Sequence, residues 1–219
     1  MHPRRLDFFL KSLRALDYVD VLLAKNMELV AAMMAVRNYF LKSDYDYLLF
    51  TSDDVTIPYL GPYKIMQNVE NTGYDVITGW SPIGRLANIG RQMTKKDVER
   101  LLKLGKHVTI RQLKPFTVKG IEELLRKGEK IVPIWFTGWS ITAMSKRVVK
   151  AWTPKGWVPT GKADVWFSYE IWKKGFKKYA DLSVKVPHRK VKRKNFMVGK
   201  EPPQTQIIKA KKSWQTLEI

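Results

Sequence analysis

The first 78 residues alternate amphipathic helices with short apolar runs, and this pattern constrains the fold more than any other feature. Leu6, Phe9, Leu10 and Leu13 recur at i, i+3, i+4, i+7, the spacing of one helical face. Residues 18–23 then read as a buried strand that ends at Lys25-Asn26. A helix over 27–42 follows, with Leu29, Met33, Val36 and Phe40 on one face, and Ser43-Asp44 breaks it. Residues 45–50 form a second strand. Pro58 and Gly61-Pro62 introduce a third helix that stops at Gly73, and residues 75–78 form a third strand. A helix between successive strands acts as a crossover that brings each new strand in on the same heading. The pattern therefore predicts an α/β fold with helices on the faces of a mostly parallel central sheet.

Beyond Ser81 the rhythm changes. Two short helices are expected near 94–104 and 117–127, with Gly105 and Gly128 where C-terminal caps belong. Residues 107–114 between them are a strand or an extended loop. Residues 81–130 read as an insertion that shapes one side of a site. Residues 131–136 are a fourth strand, and a helical segment rich in Val, Lys and Arg follows Gly138-Trp139-Ser140. After a Pro- and Gly-rich loop, a helix over 164–174 stops at Gly175. A last strand over 179–186 ends at Pro187-His188. The domain thus spans 1–190, and residues 191–219 form a basic C-terminal tail.

Composition narrows the class. There is no cysteine, which removes disulfides and thiolate metal sites and fits a cytoplasmic protein. No apolar run of signal-peptide form follows the basic start, and the apolar stretch 29–36 is too short to cross a bilayer. The formal net charge of +20 points to an anionic partner: nucleotide phosphates, nucleic acid, acidic glycans or anionic lipid. The same charge also suits a lysine-rich solvated surface.

The sharpest chemical signal is Tyr45-Asp46-Tyr47-Leu48-Leu49-Phe50-Thr51-Ser52-Asp53-Asp54, an apolar strand that delivers two adjacent carboxylates at its C-terminal end. Ligands of open α/β sheets bind outside that end of the strands. A divalent cation relieves the repulsion between neighbouring carboxylates, and Mn²⁺ or Mg²⁺ takes such hard oxygen donors together with substrate phosphate. The alternative is that the two acids only cap a turn before Pro58.

Ala35-Val36-Arg37-Asn38, followed by this strand and Ser52-Asp53-Asp54-Val55, resembles the GT-A glycosyltransferases, closest to the large inverting family of polysaccharide and spore-coat transferases. A second stretch carries the same likeness: Gly161-Lys162-Ala163-Asp164-Val165-Trp166-Phe167, the turn at Gly175, and the final strand ending at His188. The resemblance implies a single nucleotide-diphospho-sugar transferase domain. Asp53, Asp54 and His188 would hold Mn²⁺ or Mg²⁺, while Asn26, Arg37, Ser52 and Asp53 would contact the nucleotide-sugar donor. Gly138 and Trp139 would line the acceptor side, and Asp164 would act as general base. The acceptor would be a glycan, a protein or a lipid-linked hydroxyl, with the basic tail drawing the protein to an anionic membrane surface. The motif's first acid is replaced by Thr51 and the usual Glu before the general base by Ala163. The family's first apolar strand, with its nucleotide-gripping loop, is missing or replaced.

Each residue also has a plainer reading. Asp164 could cap its helix, Arg37 could join a salt bridge, and His188 could be one more surface residue of a basic run. Two other functions compete. A nucleic-acid-binding protein suits the charge but leaves the carboxylate pair idle, and no helix-turn-helix, zinc or RNA-binding signature is present. A nucleotidyltransferase of related fold would need a Gly-rich basic loop that the sequence does not show.

Overall fold

The computed structural model describes residues 12, 16–25, 27–52, 54–155, 162–188, 202–211 and 213. In chain order the elements are β1 (Val21–Lys25), α1 (Leu29–Lys42), β2 (Tyr47–Phe50), α2 (Gly61–Thr72), β3 (Val76–Trp80), β4 (Pro82–Ile83), β5 (Leu86–Gly90), α3 (Lys95–Leu104), β6 (Pro115–Thr117), α4 (Val118–Arg126), β7 (Ile131–Ile134), β8 (Phe136–Thr137), β9 (Thr142–Ser145), α5 (Lys146–Ala151), α6 (Ala163–Lys173), β10 (Lys178–Lys185) and β11 (Gln204–Ile208). The helix expected through Leu6–Leu13 falls outside the described residues except for Ser12, which is helical.

The fold is mixed α/β. Its central sheet has five strands in the order β2-β9-β3-β10-β7. Here the expectation of a mostly parallel sheet is corrected. Only β3 and β10 pair in parallel, whereas β2–β9, β9–β3 and β10–β7 are antiparallel. Two of these pairings come from β9, four residues in the segment after Ser140 whose composition suggests a helix, and the third from β7, which runs against β10 at the other edge. β9 slots between β2 and β3 on the opposite heading, and α5 starts only at Lys146. β2, β3 and β10 still share one direction, so their C-terminal ends lie on one end of the sheet.

Both faces of the sheet are covered, as its strands require. On one side Ile77, Ala143 and Val184 pack with Ile65 and Val69 of α2. On the other, Val76 and Met144 pack with Met33 and Phe40 of α1, Val148 and Val149 of α5, and Phe167 and Ile171 of α6. Neighbouring strand residues go to opposite faces, as the two-residue period demands. Leu29, placed by periodicity on the buried face of its helix, is instead 60% exposed because it sits in the first turn, beyond the edge of that contact.

Local signals held where they were short-range. Gly73 closes α2 in the left-handed conformation at φ 63°, and Thr94 and Thr117 cap α3 and α4 with their side chains. Residues 107–114 are neither strand nor plain loop but contain 3₁₀ turns, Gly105–His107 and Ile110–Leu113. Part of the insertion builds a second sheet from β4, β5 and β6, joined by β8. Among the described residues no helix is long and apolar enough to cross a membrane.

The tail reading also changes, since β11 pairs antiparallel with β1, Val21 opposite Ile208 and Lys25 opposite Gln204. Asp20 pins the return. Its carboxylate accepts from Lys209 Nζ at 2.7 Å, from the Ala210 amide at 2.8 Å and from the Tyr45 hydroxyl. Partial burial works the other way, but these hydrogen bonds hold the Asp20 carboxyl down at about 2. The stabilisation is present above the ordinary carboxylate range and is lost as pH falls towards that value. Asp20→Ala is expected to speed amide exchange across residues 204–208 while the central sheet exchanges as before. Unchanged exchange would show that the β1–β11 ladder holds the segment alone.

Candidate functional site at the C-terminal ends of the strands

β2 is an edge strand of the five, and its chain leaves the sheet as Thr51-Ser52. Two hydrogen bonds steer that exit. The Ser52 amide donates to Trp139 O at 3.1 Å, and Thr51 Oγ1 donates to Ser140 O at 2.6 Å. Val55 and Ile57 are then buried and anchor the far side of the loop. The end of β10, which runs the same way as β2, arrives from further across the sheet. Val186 N donates to Trp80 O at 2.7 Å, Thr56 N to Pro187 O at 2.8 Å, and Val55 and His188 form an antiparallel bridge.

The two loops therefore meet, and their side chains with them. His188 Nε2 lies 3.1 Å from Asp54 Oδ2, while the Ser52 hydroxyl donates to Asp54 Oδ1. The Asp54 and His188 side chains keep 25% and 20% of their surface exposed, enough for a ligand to reach both. His188 Nδ1 is buried and has no hydrogen-bond partner among the described residues. Asp53 and Asn26 lie outside those residues.

The described residues contain no group of three or more His, Cys, Asp or Glu able to hold a metal. The pair that is described suits one nonetheless. Two donors on adjacent corners of an octahedral cation, each about 2.1 Å from it, stand about 3.0 Å apart. The 3.1 Å between Asp54 and His188 is that of a direct imidazole–carboxylate contact and is also compatible with that spacing, and a carboxylate with an imidazole is a donor set Mn²⁺ accepts.

Asp164 sits in the first turn of α6, where its Oδ1 accepts from the Val165 amide at 2.9 Å. Lys162, not Asp164, occupies the capping position. Burial raises the Asp164 carboxyl, against hydrogen bonds from its own turn and the nearby Lys162 charge. Asp164 and Phe167, three residues apart, share a helix face. The Phe167 ring meets Trp139 at 4.5 Å, and Trp139 O holds the Ser52 amide. Trp139 thus ties the turn that bears Asp164 to the loop that bears Asp54.

Trp139 itself is not available to an acceptor. It is 6% exposed, and Phe50, Phe167 and Trp152 surround its ring at centroid distances of 4.7, 4.5 and 5.5 Å. The Gly-Trp-Ser segment read as an acceptor surface is a core turn, because the large apolar ring gains more from burial than from a sugar face. Gly138 is there for close approach, since a Cβ would stand 3.0 Å from Asn88 O.

Arg37 is corrected as well. Its Nε donates to Trp152 O at 2.7 Å and Val149 O at 3.1 Å, and Nη2 donates to Lys150 O at 3.1 Å. The guanidinium caps the C-terminus of α5, whose last carbonyls have no partner within the helix and carry the negative end of its dipole. Thr51 and Ser140 also shape the site, though no motif marks them for that role. The visible signal was the polar Thr51-Ser52 step directly after an apolar strand.

Neither a protein-family model nor a curated protein matches this sequence. Among solved structures, the chain is similar to the crystal structure of A197 from STIV at a TM-score of 0.48 and 15% identity, over 88% of this chain and 91% of that one.

Proposed function

We propose that this protein is a metal-dependent glycosyltransferase of GT-A type that moves a sugar from a nucleotide-sugar donor to a hydroxyl acceptor. One observation carries the reading: Asp54 and His188, at the ends of two strands far apart in the chain, face each other at 3.1 Å. Asp54 and His188, with the adjacent Asp53, would hold Mn²⁺ or Mg²⁺. Held by these residues, such a cation would neutralise the donor diphosphate and so make it a good leaving group. Ser52 fixes the Asp54 carboxylate through its hydroxyl. Asp164, the acid of the first turn of α6, would take the proton of the acceptor hydroxyl. Because burial raises its carboxyl, the base form fills only above the ordinary carboxylate range, and the rate rises with pH through that raised value.

The test is a thermal-shift panel of nucleotide sugars and nucleoside diphosphates, each with and without Mn²⁺. A ligand that binds the native state raises its melting temperature. A shift that needs both metal and one nucleotide supports the transferase and identifies the base. If no member shifts the protein but random DNA does so in a salt-sensitive way, the nucleic-acid reading replaces it. With the donor known, Asp164→Asn is expected to lower turnover by roughly 10²-fold while donor binding stays as in the wild type. Equal turnover would remove Asp164 from the chemistry.

A further inference from the structure

We propose that Asn88, on β5 of the second sheet, is the positioning residue of the Asp54 loop; its consequence for metal binding rests on the function proposed above. Asn88 is 5% exposed and uses both ends of its amide. Oδ1 accepts from the Ser81 amide at 2.6 Å, while Nδ2 donates to Gly138 O at 3.1 Å and to Ser140 Oγ at 2.6 Å. Only this orientation sets an acceptor against an N–H and donors against oxygens. The Asn88 backbone adds two bonds, its carbonyl accepting from Gly138 N at 2.9 Å and its amide donating to Ser81 O at 3.0 Å.

The residues gripped are 138 and 140, and the one between them is strained. Trp139 has φ 56°, a left-handed conformation that a bulky side chain adopts only when its surroundings force it. Asn88 brackets Trp139 on both sides, and Ser140 Oγ is held further by Ser81 Oγ at 2.7 Å. In that conformation the turn presents Trp139 O to the Ser52 amide and Ser140 O to Thr51 Oγ1, the two bonds that aim Asp54. The inserted second sheet therefore acts on the metal-side loop through its floor. A Cβ at position 138 would crowd Asn88 at 3.0–3.1 Å, so the close approach is part of the device.

The test compares Asn88→Ala and Asn88→Asp with Val132→Ala, a buried substitution on β7 at the opposite edge of the sheet from β2. Two readouts separate positioning from general destabilisation. The first is hydrogen exchange at the Ser52 amide, which needs no ligand. The second is affinity for Mn²⁺ alone, by titration. Both Asn88 variants should speed Ser52 exchange and weaken Mn²⁺ binding by about 10-fold or more, the usual size for groups that orient metal ligands. Val132→Ala should change neither beyond its effect on global stability. Asn88→Asp keeps the acceptor for Ser81 and loses donation to Gly138 O, so it supplies the answer if the alanine variant does not fold. Wild-type Ser52 exchange in a folded Asn88 variant overturns the proposal. Absence of Mn²⁺ binding in the wild type overturns the metal reading instead, and the exchange data still decide the role of Asn88.

Discussion

Replacing Asp54 with Asn should remove Mn²⁺ binding while the protein stays folded. The two effects separate because of where Asp54 sits. Its side chain is a quarter exposed, and neighbours anchor the loop: the Ser52 amide on Trp139 O, the buried Val55, and Thr56 N on Pro187 O. Asn keeps the shape and can still accept from the Ser52 hydroxyl. What it loses is the charge a hard cation requires. A polar contact at this exposure contributes little to stability, so melting should shift by no more than a few degrees. His188→Ala is expected to weaken Mn²⁺ rather than abolish it, because an imidazole contributes less than a carboxylate to binding a hard ion. Isothermal titration with Mn²⁺ checks both. Undiminished binding by Asp54→Asn would place any metal elsewhere and withdraw the function built on this pair.

Lys178→Met should make the protein more stable and flatten its dependence on pH. Lys178 is 2% exposed on β10. Its Nζ donates to Ser168 O at 2.9 Å and lies 5.9 Å from the Trp135 ring centroid. Burial alone pushes its ammonium down to about 7. Asp181 on the same strand accepts from Asn68 of α2 at 2.6 Å, whereas Lys178 reaches Ser168 of α6, so the two side chains serve opposite faces. In the unfolded chain the lysine stays protonated to its ordinary value of 10.5. Between those two values only the unfolded state carries the proton, so stability rises with pH across the window and is lowest below about 7. A depression of this size corresponds to about 5 kcal/mol as an upper bound. Met fills a similar volume and carries no charge. We expect a gain of about 2–4 kcal/mol near pH 6, or roughly 5–10 °C in Tm, shrinking towards pH 9. A wild-type Tm that does not rise between pH 6 and 9, with Lys178→Met no more stable, would show that the amine is solvated in the folded state.

Much of the local structure was legible because its causes are local. Apolar spacing placed α1, and Pro and Gly signals bounded α2, α3 and α6, each to within a residue or two, while Gly73 closed its helix through its own backbone preference. The acidic step after β2 stood out for the same reason, since strand, strand end and carboxylates are consecutive. β9 was not legible. Four residues running directly into a helix carry no period of their own, and whether they pair between β2 and β3 depends on partners remote in sequence.

The side chains divide along the same line. Sequence by itself determined the secondary-structure rhythm, the two-faced burial it demands, the helix caps and a carboxylate pair at a strand end. Only the tertiary structure decided that Arg37 caps a helix, that Trp139 is core, that Lys178 is buried with no counter-charge among the described residues and that Asp54 meets His188. Periodicity and capping are governed by residues within a turn or two, which the chain order records directly. Pairing, burial and the partner of a charge are set by segments that approach one another only when the sheet assembles, and the chain order does not record that approach.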